Sequence, residues 1–419
     1  MHIWYVNHYA VPEEISLGGR AQYIGRELAR HGHTVTIFGA SKHHFLGRPC
    51  GSISPGEKQS ADGYSFRVVS VPGYNGNGLR RIWNMLAFAR AMKREIKEAQ
   101  KNGAAPDVII VSSPHPWAWK PLRHAARKNI RMVFEERDFW PQSLIEVAGV
   151  SKWHPLVMWL NRLMSRIYKE ADAVVSLFPA TNHPLAATSR QNVVHCIPNG
   201  IDQELWGEAM RGTLPDNIAS AFATIREQGK LVVCYAGSMG PPNALETLLK
   251  LGDIQKPAKD RPYHFILIGD GISRPALELE AARRQLDFLT FLPPVRREEA
   301  WLAMRNADIL YFSLQNKPNL YRHGISLNKL FEYLMAGRPV LQVLQGGNHP
   351  VADSGGGFEL NSDDPAVLDD ALCRMAVMPA EEREEMGRRA QSYALANHNW
   401  SELGNHYAKL CEQLHSGAL

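Results

Sequence analysis

Long apolar runs are missing from this sequence of 419 residues. No stretch reaches the about 18 consecutive apolar residues that a membrane-spanning helix needs, so we expect no transmembrane segment. The opening residues MHIWYVNHYAV also lack the basic start and clean apolar run of a signal peptide, because Asn7 and His8 interrupt them. We therefore predict that this stretch is the first strand of a cytoplasmic protein.

Cysteine is scarce, and motifs built on it are absent. The five cysteines are an odd number with no CxxC or metal-ligand spacing, and we expect them to be buried, reduced thiols. No DxD pair of aspartates follows a strand to hold a divalent ion. The stretch SLGGRAQYIG does not have the GxGxxG spacing of a nicotinamide-dependent dehydrogenase. The sequence thus predicts no metal and no nicotinamide cofactor.

Charge is unevenly distributed along the chain. Residues 1–200 contain 25 Lys and Arg against 14 Asp and Glu, a net charge of +11, whereas the remaining residues have 22 against 28, a net charge of −6. Only the first half is expected to attract anions, such as nucleic acid or a lipid surface. Since it contains no recognised nucleic-acid-binding module, we expect no nucleic-acid partner. A non-catalytic protein that binds anions or nucleic acid stays the alternative.

Length and strand pattern predict two α/β domains. A single core rarely grows beyond about 250–300 residues, so this chain is expected to form two. Apolar runs rich in Val, Ile and Leu alternate with helical segments, first from IWYV to VVHCIPNGID and again from LVVCYAG to RPVLQVL. Such continuous runs are typical of parallel strands with helices on both faces. We predict two doubly wound, Rossmann-like sheets that bind ligands across a shared cleft, beyond the carboxyl ends of their strands.

The same alternation gives the domain boundaries. We place the N-terminal domain at residues 1–205 and the C-terminal domain at residues 206–399, and we expect a final helix over about 400–419 to pack back on the first domain. The polar segment 41–63, which contains several His and Gly residues, is predicted to be a loop.

The stretch GISLNKLFEYLMAGRPV, residues 324–340, has the features of a helix start that binds an anion. The first turn of a helix has unpaired N–H groups and the positive end of the helix dipole, and small or polar residues there leave room for a phosphate. Lys329 adds a positive charge, and Glu332 could accept two hydrogen bonds from a ribose diol. The alternative is structural: Ser326 caps the helix, and Glu332 pairs with Lys329 on a solvated face.

This stretch resembles the carboxyl-domain signature of the retaining glycosyltransferases of family 4, which have the GT-B fold. The resemblance implies that Glu332 holds the nucleotide ribose and that the backbone N–H groups of the three residues before Lys329 bind the donor diphosphate. Those residues are Ser326, Leu327 and Asn328. A branch of the family that builds bacterial surface polysaccharides from amino-deoxy sugars tends to have this S-x-x-K-x-x-E-Y form.

Gly324 is a departure from the family signature, which has a Glu in its place. In the family that Glu contacts the donor sugar. The contact would here come from another residue, such as His323, or be absent.

Four further segments resemble donor-binding loops of the family. The segment ISLGGRAQYIG resembles the first loop and helix, in which Gly18 and Gly19 approach the donor phosphate or the acceptor, although a Gly-Gly pair can equally serve only to bend the backbone. YAGSMG resembles the first carboxyl-domain loop, with Gly237 and Ser238 against the diphosphate. LIGDG with FLPPV resembles the loops that hold the base, where the backbone of Val295 would read its edge.

The Arg and Lys that most relatives have just after the YAGSMG loop are missing, since the sequence there is PPNALETLL. The candidates for the cationic partner of the leaving phosphate are then Lys329 and Arg296.

Two strand ends in the first half contain candidate catalytic residues. In SSPHPWAWK, His115 resembles the histidine that touches the donor sugar in the family, although a lone His is otherwise usually structural. FEERDFWPQSL resembles a pattern of the polysaccharide branch, in which Asp138 would orient acceptor or sugar hydroxyls. The alternative role for Asp138 is an internal ion pair with Arg137.

The segment GLRRIWNMLAFARAMKREIKEAQK predicts a basic amphipathic helix over residues 79–98. Such a helix can lie in a membrane interface, which would suit a lipid-linked acceptor. The alternative is that its apolar face packs on the sheet and its basic face is solvated. The predicted apolar face consists of Leu79, Ile82, Trp83, Leu86, Phe88, Ala89 and Met92.

The resemblance as a whole implies a metal-independent retaining glycosyltransferase with an N-terminal acceptor-binding domain and a C-terminal nucleotide-sugar-binding domain. It would move a sugar, for example an amino-deoxy hexose, from a UDP-linked donor to a glycan or polyprenyl-linked acceptor. The setting would be bacterial surface polysaccharide, lipopolysaccharide O-antigen or capsule synthesis, at the inner face of the cell membrane. The catalytic set would be His115, Asp138, Lys329 and Glu332. A UDP-sugar epimerase of the same fold is an alternative that would need acid and base carboxylates.

Overall fold

The protein is described by a computed structural model that covers residues 1–15, 18–46, 51–76, 78–113, 115–146, 149–178, 194–254, 257, 260–344 and 346–419. The chain divides into two compact units. Unit 1 contains Met1–Pro198 and Trp400–Leu419, and unit 2 contains Asn199–Asn399. The C-terminal helix therefore belongs to the same unit as the first strand.

Unit 1 is built on a largely parallel sheet. Its strands are β1 (His2–Val6), β2 (Thr34–Ala40), β3 (Lys42–His43), β4 (Gly51–Ser52), β5 (Gly56–Gln59), β6 (Ser65–Val69), β7 (Val108–Ser112), β8 (Arg131–Glu136), β9 (Ala173–Ser176) and β10 (His195–Cys196). Within the described residues, the sheet order is β10-β9-β8-β7-β1-β2-β6-β5, and every neighbouring pair is parallel except β5 with β6. β3 and β4 form a separate antiparallel pair.

Unit 2 is built on a fully parallel sheet. Its strands are β11 (Leu231–Ala236), β12 (Tyr263–Ile268), β13 (Leu289–Leu292), β14 (Ile309–Ser313), β15 (Val340–Val343) and β16 (Gly357–Leu360). Over the described part of the chain, the order is β13-β12-β11-β14-β15-β16.

Helices alternate with these strands. In unit 1 they are α1 (Arg20–Arg30), α2 (Leu79–Lys101), α3 (Trp119–Ala125), α4 (Gln142–Glu146) and α5 (Pro155–Glu170). In unit 2 they are α6 (Gln203–Ala209), α7 (Asp216–Glu227), α8 (Glu246–Lys250), α9 (Arg274–Arg283), α10 (Arg297–Asn306), α11 (Pro318–Tyr321), α12 (Asn328–Met335), α13 (Pro350–Ser354), α14 (Pro365–Val377) and α15 (Ala380–His398). The last helix, α16 (Trp400–Ser416), belongs to unit 1.

Both faces of the unit 2 sheet are buried. In β11, Val232 and Cys234 pack into one apolar cluster, and Val233 and Tyr235 pack into a second cluster on the opposite face. Successive side chains of a strand point to opposite faces, so two covering layers require the continuous apolar runs that the sequence shows. The predicted doubly wound α/β architecture is confirmed.

The segment 41–63 is more regular than predicted. It contains β3, β4, β5 and a 3-10 turn at His44–Leu46, and β5 extends the main sheet by pairing with β6. The loop prediction was wrong because β5, with the sequence GEKQ, is a short edge strand that faces solvent and therefore has no apolar pattern. Residues 47–50 of this segment lie outside the described residues.

The cysteines only partly follow their prediction. Cys234 and Cys411 are buried free thiols, whereas Cys196 is exposed at the end of β10. Cys50 lies outside the described residues.

The topology collects the predicted site residues at strand ends. In unit 1, the loops that follow β1, β7 and β8 contain Gly18, His115 and Asp138, and these three strands are parallel neighbours. In unit 2, Gly237 follows β11 and Val295 follows β13. Carboxyl ends of parallel strands meet at one edge of a sheet, which is where open α/β sheets bind ligands.

Candidate functional site

The start of α12 is not capped by a side chain. Leu327 occupies the N-cap position and, among the described residues, no side chain accepts a hydrogen bond from the first turn. Ser326 has other partners: its Oγ accepts from the Asn199 N–H at 2.8 Å, and its carbonyl accepts from Asn199 Nδ2 at 2.7 Å. The alternative in which Ser326 caps the helix is therefore wrong. Leu327 and Asn328 are exposed, so the first-turn N–H groups are open to a ligand.

Gly324 has a backbone conformation that explains its departure from the family signature. Its φ of 108° lies in a region that residues with a side chain rarely adopt, so a Glu in this place would be strained. The neighbouring His323 is buried, and its Nε2 accepts a hydrogen bond from Arg322 Nε at 2.8 Å.

Lys329 is held by neutral oxygens. Its Nζ donates to Tyr235 Oη at 2.6 Å and to Asn243 Oδ1 at 3.0 Å, and it lies 4.2 Å from the centre of the Tyr235 ring. Burial lowers the pKa of Lys329 to about 8, while the more distant Glu332 raises it. Within the described residues no carboxylate lies within the 4 Å of an ion pair with Nζ. In the described part of the chain, the ammonium is thus oriented by neutral groups and has no carboxylate in direct contact.

Glu332 pairs with an arginine of another helix. Arg297, at the start of α10, donates from Nη2 at 2.7 Å and from Nε at 3.1 Å, both to Oε1. The Arg297 guanidinium also stacks over Trp301, 4.7 Å from the ring centre. The alternative in which Glu332 pairs with Lys329 is therefore wrong. Over the described part of the chain Oε2 has no hydrogen bond, and it can accept one from a ligand hydroxyl.

The loop after β11 passes directly under Lys329. A Cβ on Gly237 would lie 2.7 Å from Lys329 Cε, so a side chain here would displace the lysine from its present position beside Tyr235. Ser238 is exposed, and its carbonyl accepts hydrogen bonds from Tyr235 Oη and from Asn243 Nδ2. The structure thus brings Gly237, Ser238 and Lys329 together.

Val295 and Arg296 lie between β13 and α10. Val295 is half-buried against the core of unit 2. Arg296 is the N-cap residue of α10, and its exposed side chain pairs with Glu299 at 2.8 Å. Two cations were predicted as partners of the leaving phosphate. Lys329 lies beside the loop after β11, whereas Arg296 already pairs with Glu299 of its own helix, so the geometry favours Lys329.

In unit 1, His115 is paired with a second histidine. Its Nε2 lies 2.9 Å from His8 Nδ1, so one ring donates to the other. Burial lowers the pKa of His115 to about 3, with a further contribution from the Arg81 charge, and burial also lowers the pKa of His8. Both imidazoles are neutral at pH 7. Neutral rings of this kind can donate to and accept from hydroxyl groups.

The Gly-Gly loop before α1 is occupied by a side chain. The N–H groups of Gly18 and Gly19 donate to Gln22 Oε1 at 2.8 and 3.2 Å, and Gln22 Nε2 donates to the Val11 carbonyl at 2.9 Å. A ligand that binds these two N–H groups must therefore displace the Gln22 side chain.

The charged residues at the end of β8 separate into buried and exposed groups. Glu135 accepts from Arg20 Nη2 at 2.9 Å and Nε at 3.1 Å, and Glu136 accepts from Tyr168 Oη at 2.8 Å. The residue Asp138 is exposed, but burial of its carboxyl group raises the carboxyl pKa, and the Arg137 charge acts in the opposite direction.

Sequence reasoning missed four of these partners. Arg297, Tyr235 and Asn243 fix the Glu332 and Lys329 side chains, and His8 pairs with His115. Arg297 could have been weighed beside Arg296, because both open the same helix. No sequence motif connects Tyr235 and Asn243 with Lys329, because the tyrosine lies in β11, the asparagine in a turn after it, and the lysine in α12.

The helix predicted to contact a membrane divides into two parts. In α2, Phe88, Ala89 and Met92 are buried in the core of unit 1, as expected if the helix packs on the sheet. Leu79 and Trp83, near its start, are 83% and 55% exposed. Among the described residues, no helix is long and apolar enough to cross a bilayer.

Two family models match the chain. The model described as Glycosyltransferase Family 4 matches residues 19–205, and the model described as Glycosyl transferases group 1 matches residues 230–377. No curated protein matches the sequence.

Solved structures match over the whole chain. Sucrose-phosphate synthase from Thermosynechococcus elongatus has a TM-score of 0.70 at 17% identity, with 99% of both chains covered. HepE from Anabaena, in complex with UDP and glucose, has a TM-score of 0.63 at 15% identity over 99% of this chain and 100% of HepE. WaaG, a glycosyltransferase involved in lipopolysaccharide biosynthesis, has a TM-score of 0.63 at 15% identity over 98% of this chain and 99% of WaaG. At identities this low, the similarity shows a shared fold and nothing more specific.

Proposed function

Because the chain is a glycosyltransferase with the GT-B fold, we propose that it transfers a sugar from a UDP-linked donor to a lipid-linked or glycan acceptor with retention of anomeric configuration. The donor diphosphate binds at the start of α12, and Glu332 binds the ribose. His115 and Asp138 contact the sugar or acceptor hydroxyls. HepE, which has this fold, was solved with UDP and glucose.

The observation that carries the proposal is the Lys329 ammonium, which over the described residues has no carboxylate in ion-pair contact. Removing a charge from water costs several kcal/mol unless an opposite charge compensates it. Its hydrogen-bond partners Tyr235 and Asn243 are neutral, and the uncapped first turn of α12 adds a second positive feature. A diphosphate would provide negative charge for the Lys329 ammonium and hydrogen-bond acceptors for the first-turn N–H groups. One helical turn away, Glu332 Oε2 would accept a hydrogen bond from a ribose hydroxyl.

The proposed chemistry needs no protein nucleophile. The bond between the anomeric carbon and the diphosphate oxygen breaks, and the acceptor oxygen bonds to the anomeric carbon on the same face. The acceptor proton passes to the oxygen of the leaving phosphate. Lys329 and the first-turn N–H groups stabilise the negative charge that develops on the diphosphate, which is the electrostatic contribution that lowers the barrier. We propose that no metal ion takes part.

The acceptor and pathway are proposed from the S-x-x-K-x-x-E-Y form of the α12 segment and from the basic first half of the chain. The donor sugar is an amino-deoxy hexose, and the product is a bacterial surface polysaccharide such as O-antigen or capsule. The enzyme would then work at the inner face of the membrane. WaaG, with the same fold, is a glycosyltransferase of lipopolysaccharide biosynthesis.

A donor screen tests the proposal. Melting temperature is measured with UDP-, GDP- and dTDP-sugars, and a UDP-sugar at about 100 times its dissociation constant should stabilise the protein by about 2.7 kcal/mol. Lys329→Met should reduce this stabilisation to about 0.4–1.4 kcal/mol at the same ligand concentration, whereas the exposed control Lys250→Met, whose partner is Asp363, should keep it. A shift that is equal in both variants would contradict the assignment of Lys329.

Activity assays test the reaction. With the donor identified, NMR of the product should show the anomeric configuration of the donor, and EDTA should leave the rate unchanged. Conversion of the UDP-sugar without any acceptor would instead indicate the alternative, an epimerase.

A further inference from the structure

Large apolar side chains are exposed at the start of α5. Trp153, Leu156 and Trp159 have 72%, 44% and 46% of their surface in solvent, although their neighbours Val157 and Leu160 are buried in the core. Exposed leucines are common singly, but large apolar side chains grouped together on a surface mark an interaction site. One ring face of Trp159 stacks on the half-buried Trp117, with ring centres 5.4 Å apart. This contact holds the Trp159 ring in place with the rest of its surface in solvent.

A second exposed group lies at the start of α2. Leu79, Ile82 and Trp83 are 83%, 45% and 55% exposed, while Phe88 and Met92 further along the helix are buried. The Arg90 guanidinium lies 4.9 Å from the centre of the Trp83 ring. The apolar surface of this helix thus leaves the core at its N-terminal end.

The two groups lie at the same end of unit 1. α2 follows β6 and α5 follows β8, and both strands run parallel to the body of the sheet. The N-terminal ends of helices that follow parallel strands lie near the carboxyl edge of the sheet. Trp117 connects the helices, because it packs on the core cluster that contains Phe88 of α2 and stacks on Trp159 of α5.

Both helix starts lie in stretches without acidic residues. Between Asp62 and Glu95 the chain has six Lys and Arg residues and no Asp or Glu, and between Glu146 and Glu170 it has four and again no Asp or Glu. Of these basic residues, Arg67 and Arg166 pair with Glu95 and Glu170. Apolar side chains in stretches where basic residues predominate are complementary to a surface with an apolar interior and anionic headgroups. Tryptophan is enriched where protein meets the bilayer interface.

We propose that Leu79, Ile82, Trp83, Trp153, Leu156 and Trp159, here called the tryptophan surface, dock on an anionic lipid bilayer. The tryptophan surface lies at the sheet edge that presents His115 and Asp138, so docking brings this edge to the headgroups of a lipid-linked acceptor. In this respect the inference rests on the proposed function. It also extends the predicted membrane contact of α2 to a second element, α5.

Vesicle flotation tests the docking without any substrate. Wild-type protein should float with vesicles of phosphatidylcholine and phosphatidylglycerol, less with phosphatidylcholine alone, and less at high salt. Trp153→Ser with Leu156→Ser, and separately Leu79→Ser with Trp83→Ser, should each lower the vesicle partition coefficient about tenfold, because each pair removes apolar surface from the interface. The matched control is Ile272→Ser with Leu279→Ser in unit 2, where the side chains are 79% and 72% exposed.

The outcomes separate lipid from other partners. Unchanged flotation of both tryptophan-surface variants, or an equal loss in the control, would overturn the proposal. So would a wild-type dimer in size-exclusion chromatography that the same variants convert to monomer, because the occupant would then be a second copy of the chain. Equal melting temperatures verify folding, and all substituted side chains are exposed. Since no donor is present, failure of this test leaves the UDP-sugar result unaffected, and the reverse also holds.

Discussion

At Lys329, burial and a bound diphosphate act on the same proton in opposite directions. Burial holds the pKa of the free protein at about 8, below the ordinary value for lysine. A diphosphate favours the ammonium and raises the pKa again. Nucleotide binding should therefore depend on pH in a range where few other groups of the site titrate.

We predict that UDP affinity falls as pH rises through about 8, by up to about tenfold per pH unit, because Lys329 must then take up a proton when the diphosphate binds. Lys329→Met should weaken UDP binding at pH 7 by about 10- to 100-fold, as expected for hydrogen bonds to a charged group. It should also remove the pH dependence above 8. Isothermal titration calorimetry in buffers of different ionisation enthalpy measures both effects. An unchanged pH profile in the variant would contradict the role.

Glu332 should recognise the ribose diol through the oxygen that Arg297 leaves open. We predict that Glu332→Gln weakens UDP binding about tenfold, because a charge-assisted hydrogen bond becomes a neutral one. The same substitution should have a smaller effect on 2′-deoxy-UDP, which offers Glu332 one hydroxyl fewer. Competition binding with the two nucleotides measures the difference. If both lose affinity equally, Glu332 acts only through its ion pair with Arg297.

The residue types of this site were predictable, but their partners were not. The sequence places Lys329 and Glu332 one turn apart, and helix geometry alone allows them to pair with each other. In the structure each pairs with a residue from another element, Tyr235 and Arg297 respectively, because the parallel sheet brings β11 and α10 beside α12.

At the scale of elements, α16 packs closely on α1 within unit 1. Gly404 is the close contact: a Cβ there would lie 2.2 Å from Glu27 Cβ and 2.6 Å from Glu27 Cγ. Glu27 cannot move freely, because Arg26 and Arg30 pair with it at 3.0 and 3.3 Å. The close approach of α16 to α1 therefore depends on a glycine at position 404.

We predict that Gly404→Ala destabilises unit 1 by about 1–3 kcal/mol, the usual cost of overpacking. The control is Gly207→Ala in α6, where a Cβ meets nothing within 4 Å. That change should raise stability by about 0.5–1 kcal/mol, since alanine favours the helix. Urea unfolding measures both. If Gly404→Ala instead leaves the protein as stable as the wild type or more stable, α1 and α16 are not held at this distance in solution.

The helix α2 shows what an amphipathic pattern can and cannot specify. Its period of apolar residues correctly predicts a helix over the segment that begins at Leu79. The pattern cannot divide this apolar face into the part that packs on the sheet, at Phe88 and Met92, and the part at Leu79 and Trp83 that stays in solvent. Burial depends on where the sheet ends, and the helix sequence does not contain that information.

At the scale of the whole molecule, one buried carboxylate connects the two ends of the chain. Glu135 accepts hydrogen bonds from Tyr5 of the first strand at 2.5 Å and from Tyr407 of the last helix at 3.0 Å, in addition to those from Arg20. Arg20 also donates to the carbonyls of Ile197 and Pro198, where the chain leaves unit 1. Burial alone would raise the pKa of Glu135, but the Arg20 charge and these hydrogen bonds lower it to about 2.

We predict that this network makes unit 1 sensitive to acid. A carboxylate whose folded pKa is below its unfolded value of about 4.3 contributes stability above that value and loses it as pH falls toward 2, here about 3 kcal/mol in total. Glu135→Gln should destabilise the protein at pH 7, because Arg20 is left buried without a charge partner. Its stability should also change less between pH 5 and 3, which denaturant titrations at several pH values measure. A wild-type slope in the variant would contradict the network.

The sequence by itself determined the α/β architecture, the charge asymmetry and the residue types at the start of α12, because hydrophobic period and local helix geometry are properties of neighbouring residues. Tertiary structure alone decided that Lys329 rests on Tyr235, that Glu332 meets Arg297, and that His115 meets His8. These partners are separated by 35 to 107 residues in the chain. Parallel strands with helical crossovers bring such distant loops to one sheet edge, and only the strand order specifies which of them become neighbours.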